Sequence, residues 1–289
     1  MSFAYQTVKF VAVTLPTSVL HDGHRLSETL DKPTAEDLIA YCARVSNPAN
    51  QKNFDTASKL LRYCISNKHW SPFEMVNVVM EIVTTRDMSH QIIRHPSFRF
   101  QEFSQRYAKV DSETFVVREA RSQDPKNRQN SVDDLDPQVK ADWEDVQQGL
   151  ASNIASIYEW AIDHGIAKEC ARVILPEGMT PTRLYMSGTL RSWMHYYQLR
   201  HANGTQLEHR DIADKAWPLL KEEFHFLDTA EQLWIEESIA LEEARALRAS
   251  MQNIHYAFED IKCRDDVSDA MQVVRDELER SHKFMWAKG

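Results

Sequence analysis

The sequence predicts an α+β fold: a helix-rich single domain with a small mixed or antiparallel sheet. Three observations predict it. Most of the chain repeats its apolar residues with the period of an α-helix. Two short runs are instead β-branched and apolar, as strands are. The two kinds of segment do not alternate as they do in a doubly wound parallel sheet.

Both predicted strands lie in the N-terminal third of the chain. Residues 8–15 read Val-Lys-Phe-Val-Ala-Val-Thr-Leu and stop at Pro16, which is typical of a buried strand. Residues 75–84 form the second β-branched run. Residues 69–74 precede it and predict a loop, because the residue before Pro72 avoids the helical region.

The other elements are predicted helices. The first follows Pro33 and has acidic residues in its first turn, which suits a helix start. The predicted helices cover residues 34–45, 54–67, 86–94, 138–167, 169–175, 186–200, 211–227 and 231–247, and the last forty residues continue the helical period. Residues 111–137 are polar and poor in aromatic side chains. We expect a surface excursion there, with a composition that suits a mobile segment.

The bulk composition excludes several classes of protein. The 289 residues carry a net charge of −9 and have a pI of about 5.7, which argues against a general nucleic-acid-binding surface. There is no Rossmann or P-loop glycine motif, no signal peptide and no apolar run that could span a membrane. Cys42, Cys64, Cys170 and Cys263 form no C-x-x-C pair, so we expect reduced core thiols, a cytoplasmic location and no metal site.

Residues 90–107 carry the most chemical information. Five basic side chains share this segment with a single carboxylate, Glu102. The basic residues are His90, Arg94, His95, Arg99 and Arg106, and they are interleaved with Phe98, Phe100, Phe103 and Tyr107. Arginine presents a rigid donor fork that suits phosphate, so the segment predicts a site for a phosphorylated, ring-bearing ligand. An ordinary solvated basic face is the alternative.

Two shorter patterns leave alternatives open. His69 and Glu74 flank Pro72, and they either anchor the loop through a hydrogen bond or belong to a site. Arg172 lies among apolar residues, where a cation is costly unless it is paired. Its partner is either a carboxylate, such as Glu169 or Glu177, or the phosphate of a ligand.

The predicted helix before residue 200 is polar on two sides. Arg191, His195 and Gln198 fall at i, i+4 and i+7 and therefore share one face. Arg200 lies about 180° away at 3.6 residues per turn. A helix of this kind fits between two sites or at a subunit interface, unless Arg200 simply caps the last carbonyl groups.

Together these segments resemble flavin-dependent thymidylate synthase. That family's signature is R-H-R, seven residues, S, one residue, R. Here Arg94-His95-Pro96, seven residues and Ser104-Gln105-Arg106 match every fixed position except the third. The segments 69–74, 171–176 and 190–200 also resemble the family, in the family's order. The resemblance implies a catalytic domain over residues 1–235 and a helical extension over residues 236–289.

The resemblance also implies an activity and its partners. It implies a homotetramer in which FAD and substrate sites are shared between subunits. NADPH reduces FAD, the one-carbon unit of 5,10-methylenetetrahydrofolate is transferred to C5 of dUMP, and reduced flavin supplies a hydride to give dTMP. A small-molecule enzyme of this type needs no nucleic acid, membrane or cysteine nucleophile.

The family's site residues carry over position by position. The residues implied for dUMP are Gln91, Arg94, Glu102, Ser104, Gln105, Arg106, Arg172 and Arg200. Those implied for FAD are Ser71, Arg94, His95, Pro96, Glu102, Thr189, Arg191 and His195. Arg200 is the implied catalytic residue, because a fixed guanidinium favours ionisation at uracil N3 and makes C5 nucleophilic. Ser104 suits phosphate binding better than nucleophilic attack, since no base lies at a fixed offset from it.

The sequence departs from the family at several positions. Pro96 replaces an arginine, and Arg99 is the nearest cation that could substitute for it in space. Gln101 and His195 stand where asparagine is expected. These departures leave two alternatives open: a flavin-dependent pyrimidine nucleotide (dUMP) hydroxymethylase, and a nucleotide-binding protein without catalysis.

Overall fold

The computed structural model describes residues 3–16, 32–111, 114–261, 272 and 274–276, with side chains up to residue 256 in the last helix. The chain forms two compact units, which divide after Leu227. The first unit contains the sheet and all the residues implied for the site. The second unit begins with a long helix at Asp228.

A four-stranded antiparallel sheet organises the first unit. Its strands are β1 (Thr7–Val13), β2 (Asn77–Thr85), β3 (Arg99–Glu102) and β6 (Pro181–Thr189), in the spatial order β1-β2-β6-β3. Strands β2 and β6 pair over their full length, from Asn77 opposite Thr189 to Thr85 opposite Pro181. The predicted α+β class with a small antiparallel sheet is confirmed.

Helices account for most of the remaining described chain. They are α1 (Ala35–Ala43), α2 (Ala57–Ser66), α3 (Arg86–Ile92), α4 (Pro137–Asp163), α5 (Lys168–Ala171), α6 (Leu190–Arg200), α7 (Leu207–Glu223) and α8 (Asp228–Ile261). Helix α1 starts at the predicted place because Thr34 and Asp37 form a reciprocal capping box. None of the described helices is both long and apolar enough to cross a membrane.

Three predictions about local structure were wrong. The predicted helix 186–200 begins only at Leu190, because the preceding residues form β6 with alternate side chains buried. Strand β1 lies at the sheet edge rather than in the core, and half of Val11 is exposed. The predicted loop 69–74 contains a 3₁₀ turn, Ser71–Glu74.

The polar excursion 111–137 is anchored by partly buried ion pairs rather than being loosely attached. Arg118 donates two hydrogen bonds of 2.7 Å to the carboxylate of Asp87 at the start of α3. Arg121 donates to Glu208 at the start of α7, at 2.5 Å. Each of these half-buried arginines is thereby paired with a carboxylate, which offsets the cost of removing its charge from water. Within the excursion, β4 (Ser122–Gln123) and β5 (Ser131–Val132) form a separate antiparallel pair.

The cysteines are free thiols where the structure describes them. Cys64 is buried, Cys42 is half-buried and Cys170 is exposed, so the expectation of a core position was wrong for Cys170. Burial raises the pKa of the Cys42 and Cys64 thiols above its ordinary value. Cys263 lies outside the described residues.

Gly188 allows β6 to approach the segment between α3 and β3. A Cβ atom at Gly188 would lie 2.4 Å from the Phe98 ring, which is itself packed against Trp193 with a centroid distance of 4.9 Å. We predict that Gly188→Ala lowers the free energy of unfolding by about 1–3 kcal/mol through overpacking. Denaturant unfolding measures this change.

A matched control is available in α4. A Cβ atom at Gly149 would meet no heavy atom within 4 Å, and this glycine lies in the middle of that helix. Gly149→Ala should therefore raise the free energy of unfolding by roughly 0.5–1 kcal/mol. Equal effects of the two substitutions would contradict the packing role of Gly188.

Candidate functional site

A tight turn between α3 and β3 directs His95 into the protein. The His95 N–H donates to the carbonyl of Ile92, and the carbonyl of His95 accepts from the N–H of Phe98. Helix α3 has ended at Ile92, before Pro96. As a result His95 is buried, whereas Arg94 and Pro96 on either side of it are exposed.

Arg200 at the end of α6 is hydrogen-bonded to this histidine. Its Nε–H donates to Nε2 of His95 at 2.8 Å. Arginine stays protonated in proteins, so His95 must be the acceptor and carry its proton on Nδ1. Burial, then Arg200 and then His195 lower the pKa of His95 to about 4. The imidazole is therefore neutral, and the charge of Arg200 is solvated by a neutral acceptor rather than cancelled by a carboxylate.

A second buried histidine, which the sequence patterns did not single out, lies beside this pair. The ring centroid of His209 on α7 is 6.4 Å from that of His95. Nε2 of His209 is 3.1 Å from the Tyr196 hydroxyl, and Nδ1 is 3.3 Å from Oε1 of Gln91. The signal was present in the sequence, since His209 occupies the apolar face of α7 with Ile212, Ala213, Ala216, Trp217 and Leu220.

Arg94 is the free cation at the edge of this cluster. It is exposed, and the described part of the chain offers its guanidinium no hydrogen bond or ion pair. It lies close enough to Arg200 to lower the pKa of that guanidinium, although burial of Arg200 is the larger cause. Two guanidinium groups that lack a carboxylate partner can bind an anion such as a phosphate or an ionised ring.

Glu102 is held in place on β3. Its carboxylate accepts from Arg86 at 3.2 Å and from the Thr182 hydroxyl at 2.9 Å. Arg86 also approaches Nε2 of His90, and His90 pairs with Glu177 at 3.3 Å. The carboxylate is thus fixed from both the α3 and β6 sides.

The turn after β3 carries the remaining residues of the signature. Ser104 is exposed, and its carbonyl accepts from the N–H groups of Tyr107 and Ala108. Arg106 is 3.7 Å from Glu169 on α5. The two carboxylates suggested as partners for Arg172 are thus near other residues, and the Arg172 guanidinium has no hydrogen bond or ion pair among the described residues.

The outward face of α6 lies near the 3₁₀ turn. Thr189 caps α6 by accepting from the N–H of Ser192 at 3.2 Å. Arg191 forms an ion pair with Glu74, so the Glu74 carboxylate is paired with this arginine rather than with His69. Arg191, His195 and Gln198 are all exposed, while Arg200 points inward, so the predicted two-sided character of α6 is confirmed.

The structure therefore brings some of the predicted residues together and leaves others apart. Gln91, Arg94, His95 and Arg200 form one cluster with His209. Three other groups of predicted residues are held by contacts of their own, outside this cluster. They are Glu102, residues 104–106, and Ser71 with Arg191. A cavity of about 500 Å³ next to Phe3, Tyr5 and residues 114–119 contains none of the predicted site residues. No described group of three His, Cys, Asp or Glu side chains is placed to hold a metal ion.

Known proteins resemble this chain over most of its length. Residues 26–224 match the family described as thymidylate synthase complementing protein. A probable flavin-dependent thymidylate synthase of Paramecium bursaria Chlorella virus 1 is 53% identical over 191 residues, which cover 66% of this chain and 88% of that protein. The flavin-dependent thymidylate synthase of Synechocystis is 48% identical over 217 residues, covering 75% and 95%.

A solved structure has the same fold. The UMP/dUMP methylase PolB from Streptomyces cacaoi, bound with 5-Br dUMP, superposes with a TM-score of 0.62 at 22% identity. The superposition covers 80% of this chain and 94% of that protein. This chain and that methylase therefore share the arrangement of their strands and helices.

The two buried histidines predict how stability depends on pH. Burial also lowers the pKa of His209, to about 3, with Arg200 and His95 as further causes. An unfolded histidine takes up a proton as the pH falls through about 6.5, whereas these rings resist it in the folded protein. We predict that the free energy of unfolding falls between pH 6.5 and pH 4, by about 1.4 kcal/mol per pH unit for each ring.

Urea unfolding at pH 7 and pH 5 tests this dependence. His209→Gln should reduce the pH dependence of the free energy of unfolding by the contribution of about one proton. His201→Gln, which removes an exposed ring, serves as the control. An unchanged slope in His209→Gln would show that this ring does not resist protonation.

Proposed function

The chain belongs to the thymidylate synthase complementing protein family, and we propose that it is an FAD-dependent thymidylate synthase. It would transfer the one-carbon unit of 5,10-methylenetetrahydrofolate to C5 of dUMP and reduce that unit with a hydride derived from NADPH, giving dTMP. The observation that carries the proposal is the contact of the signature histidine, His95, with Arg200, whose guanidinium has no carboxylate partner among the described residues.

The nucleotide is the ligand that the donors of the proposed site fit best. The proposed nucleotide site offers amide, hydroxyl and guanidinium donors, mainly to the phosphate. These donors come from Gln91, Arg94, Ser104, Gln105, Arg106 and Arg172. Arg94 and Arg172 have no competing carboxylate within the described structure. Glu102 is oriented by its hydrogen bonds from Arg86 and Thr182, which suits a place between nucleotide and flavin.

Arg200 is the proposed catalytic residue. Its guanidinium is half-buried and oriented through Nε by His95, so its terminal nitrogens remain available to a ligand. A preorganised cation next to the pyrimidine stabilises the anion that develops on ionisation of N3. The carbon C5 then becomes nucleophilic without attack by a protein side chain. The Ser104 hydroxyl has no hydrogen-bonded base among the described residues, in keeping with phosphate binding.

The residues proposed for FAD fit an anionic, ring-bearing group. Arg94 is a cation with free donors, and Ser71, Thr189 and His195 add polar groups around the start of α6. Arg191 is already paired with Glu74, and Nε2 of His95 is occupied by Arg200, so only its other ring nitrogen is free for the flavin. Pro96 offers backbone and ring contact alone. When bound, the flavin supplies hydride to the transferred carbon.

The assembly and location are also proposed. On one chain, the region of Ser71 and Arg191 and the region of Arg106 and Glu169 are held by separate contacts. This separation suits a homotetramer, in which residues from other subunits complete each site. We propose residues 1–235 as the catalytic domain and residues 236–289 as a helical extension, in keeping with the family match that ends at residue 224. The free thiols Cys42, Cys64 and Cys170 suit the cytoplasm.

The product assay tests the activity. We predict that the purified protein shows flavin absorbance and converts dUMP to dTMP when methylenetetrahydrofolate and NADPH are present. Mass spectrometry of the product separates methyl from hydroxymethyl transfer. A hydroxymethyl product, or the absence of bound flavin and of tritium release from C5-labelled dUMP, would overturn the proposal.

Substitution of Arg200 tests its catalytic role. Arg200→Gln removes the cation while keeping a polar side chain of similar length, and we predict a loss of about 100- to 1,000-fold in kcat. Arg128→Ala, on the exposed surface of the excursion, is the control and should leave kcat unchanged. A decrease in kcat of less than about threefold in Arg200→Gln would exclude the role proposed for Arg200.

A further inference from the structure

The hydrogen bonds around His209 run in one direction. Nε2 of Gln91 donates to Oε1 of Gln206 at 2.7 Å, which leaves Oε1 of Gln91 facing Nδ1 of His209. An amide oxygen can only accept, so Nδ1 must carry the proton. Nε2 of His209 is then an acceptor, and the Tyr196 hydroxyl donates to it.

A change to the His209 tautomer alone, or to the Gln91 amide alone, brings two like groups together. Moving the proton to Nε2 would place the lone pair of Nδ1 against the oxygen of Gln91. Rotating the Gln91 amide by 180° would place its oxygen against the oxygen of Gln206. Both changes leave polar groups at this half-buried contact unsatisfied, which is costly. The orientation of the Gln91 amide is therefore set by His209 on one side and by Gln206 on the other.

We propose that His209 is a positioning residue of the nucleotide site, which holds the Gln91 amide in the orientation that binds the pyrimidine nucleotide. This inference rests on the proposed function, because it takes Gln91 as a ligand of dUMP. The contacts with His209 and Gln206 use one N–H of Gln91 and one lone pair of its oxygen. The second N–H and the second lone pair remain for the substrate.

The neutral state of His209 is part of this role. The side chain is fully buried, the charged or titratable neighbours that act on the ring are Arg200 and His95, and no described carboxylate bonds to its nitrogens. The polar groups that face it are Gln91 from α3, Tyr196 from α6 and the signature residue His95. A neutral ring can be both donor and acceptor, whereas a charged ring would donate at both nitrogens and lose the bond from Tyr196.

The test measures KM for dUMP and kcat separately in the intact protein. His209→Leu removes both contacts, and we expect KM for dUMP to rise at least tenfold while kcat changes less than threefold. His209→Gln keeps a donor for Gln91 and should recover most of the affinity. His201→Leu removes an exposed histidine near the end of α6 and should leave KM unchanged.

A double substitution separates positioning from a purely structural role. If His209 acts through Gln91, then His209→Leu should add little to the KM of Gln91→Ala. A structural role alone would lower the melting temperature and leave KM near the wild-type value, or would add its full effect in the double variant. Either result would overturn the inference. Should His209→Leu not fold, the same comparison with Tyr196→Phe, which removes the donor to Nε2, decides the question.

The outcomes also distinguish this inference from the proposed function. If the wild-type protein turns over dUMP and Gln91→Ala raises KM, the nucleotide site stands and the response of His209→Leu alone decides the positioning role. If Gln91→Ala leaves KM unchanged, the positioning role fails while the activity stands. If the wild-type protein neither binds nor converts dUMP, both proposals fail.

Discussion

The hydrogen bond from Arg200 to His95 is the contact around which the candidate site is arranged. A guanidinium that leaves water normally acquires a carboxylate partner, and the pair is then neutral. Here a neutral imidazole fixes the orientation of Arg200 and leaves its positive charge available. The same contact joins the turn before β3 to the end of α6, so two segments that are far apart in the sequence share one constraint.

This arrangement depends on charges placed elsewhere in the first unit. Asp87 and Glu208, at the starts of α3 and α7, are paired with Arg118 and Arg121 of the polar excursion. The carboxylates of Asp87 and Glu208 are thus bound to the arginines of the excursion. Gln91 and His209 follow them on the same two helices. A segment with the composition of a loose loop therefore has a structural task, because it fixes both helices that support the cluster.

Sequence reasoning recovered the elements whose signals are local. The start of α1 at Thr34, the strand β2 and the two-sided helix containing Arg200 all follow from caps, β-branched runs or helical spacing. It missed β6, because Pro181–Thr189 runs directly into α6 without a break and its alternation is short. It also missed His209, since a histidine on an apolar helix face looks like an ordinary core residue until Tyr196 and Gln91 are placed beside it.

The substitution of Pro96 for the arginine of the family signature has a structural counterpart in Arg99. Nη1 of Arg99 donates to the carbonyl of Pro96 at 3.1 Å and to the carbonyl of Phe98 at 2.8 Å. The exposed guanidinium is therefore folded back beside position 96, and its other donors have no partner in the described part of the chain. A positive charge is thus kept next to the turn although the side chain at position 96 has none. Proline at that position also keeps the turn rigid, because its φ angle is fixed. The positive charge at this turn therefore lies on Arg99, three residues after the position where the signature has its second arginine.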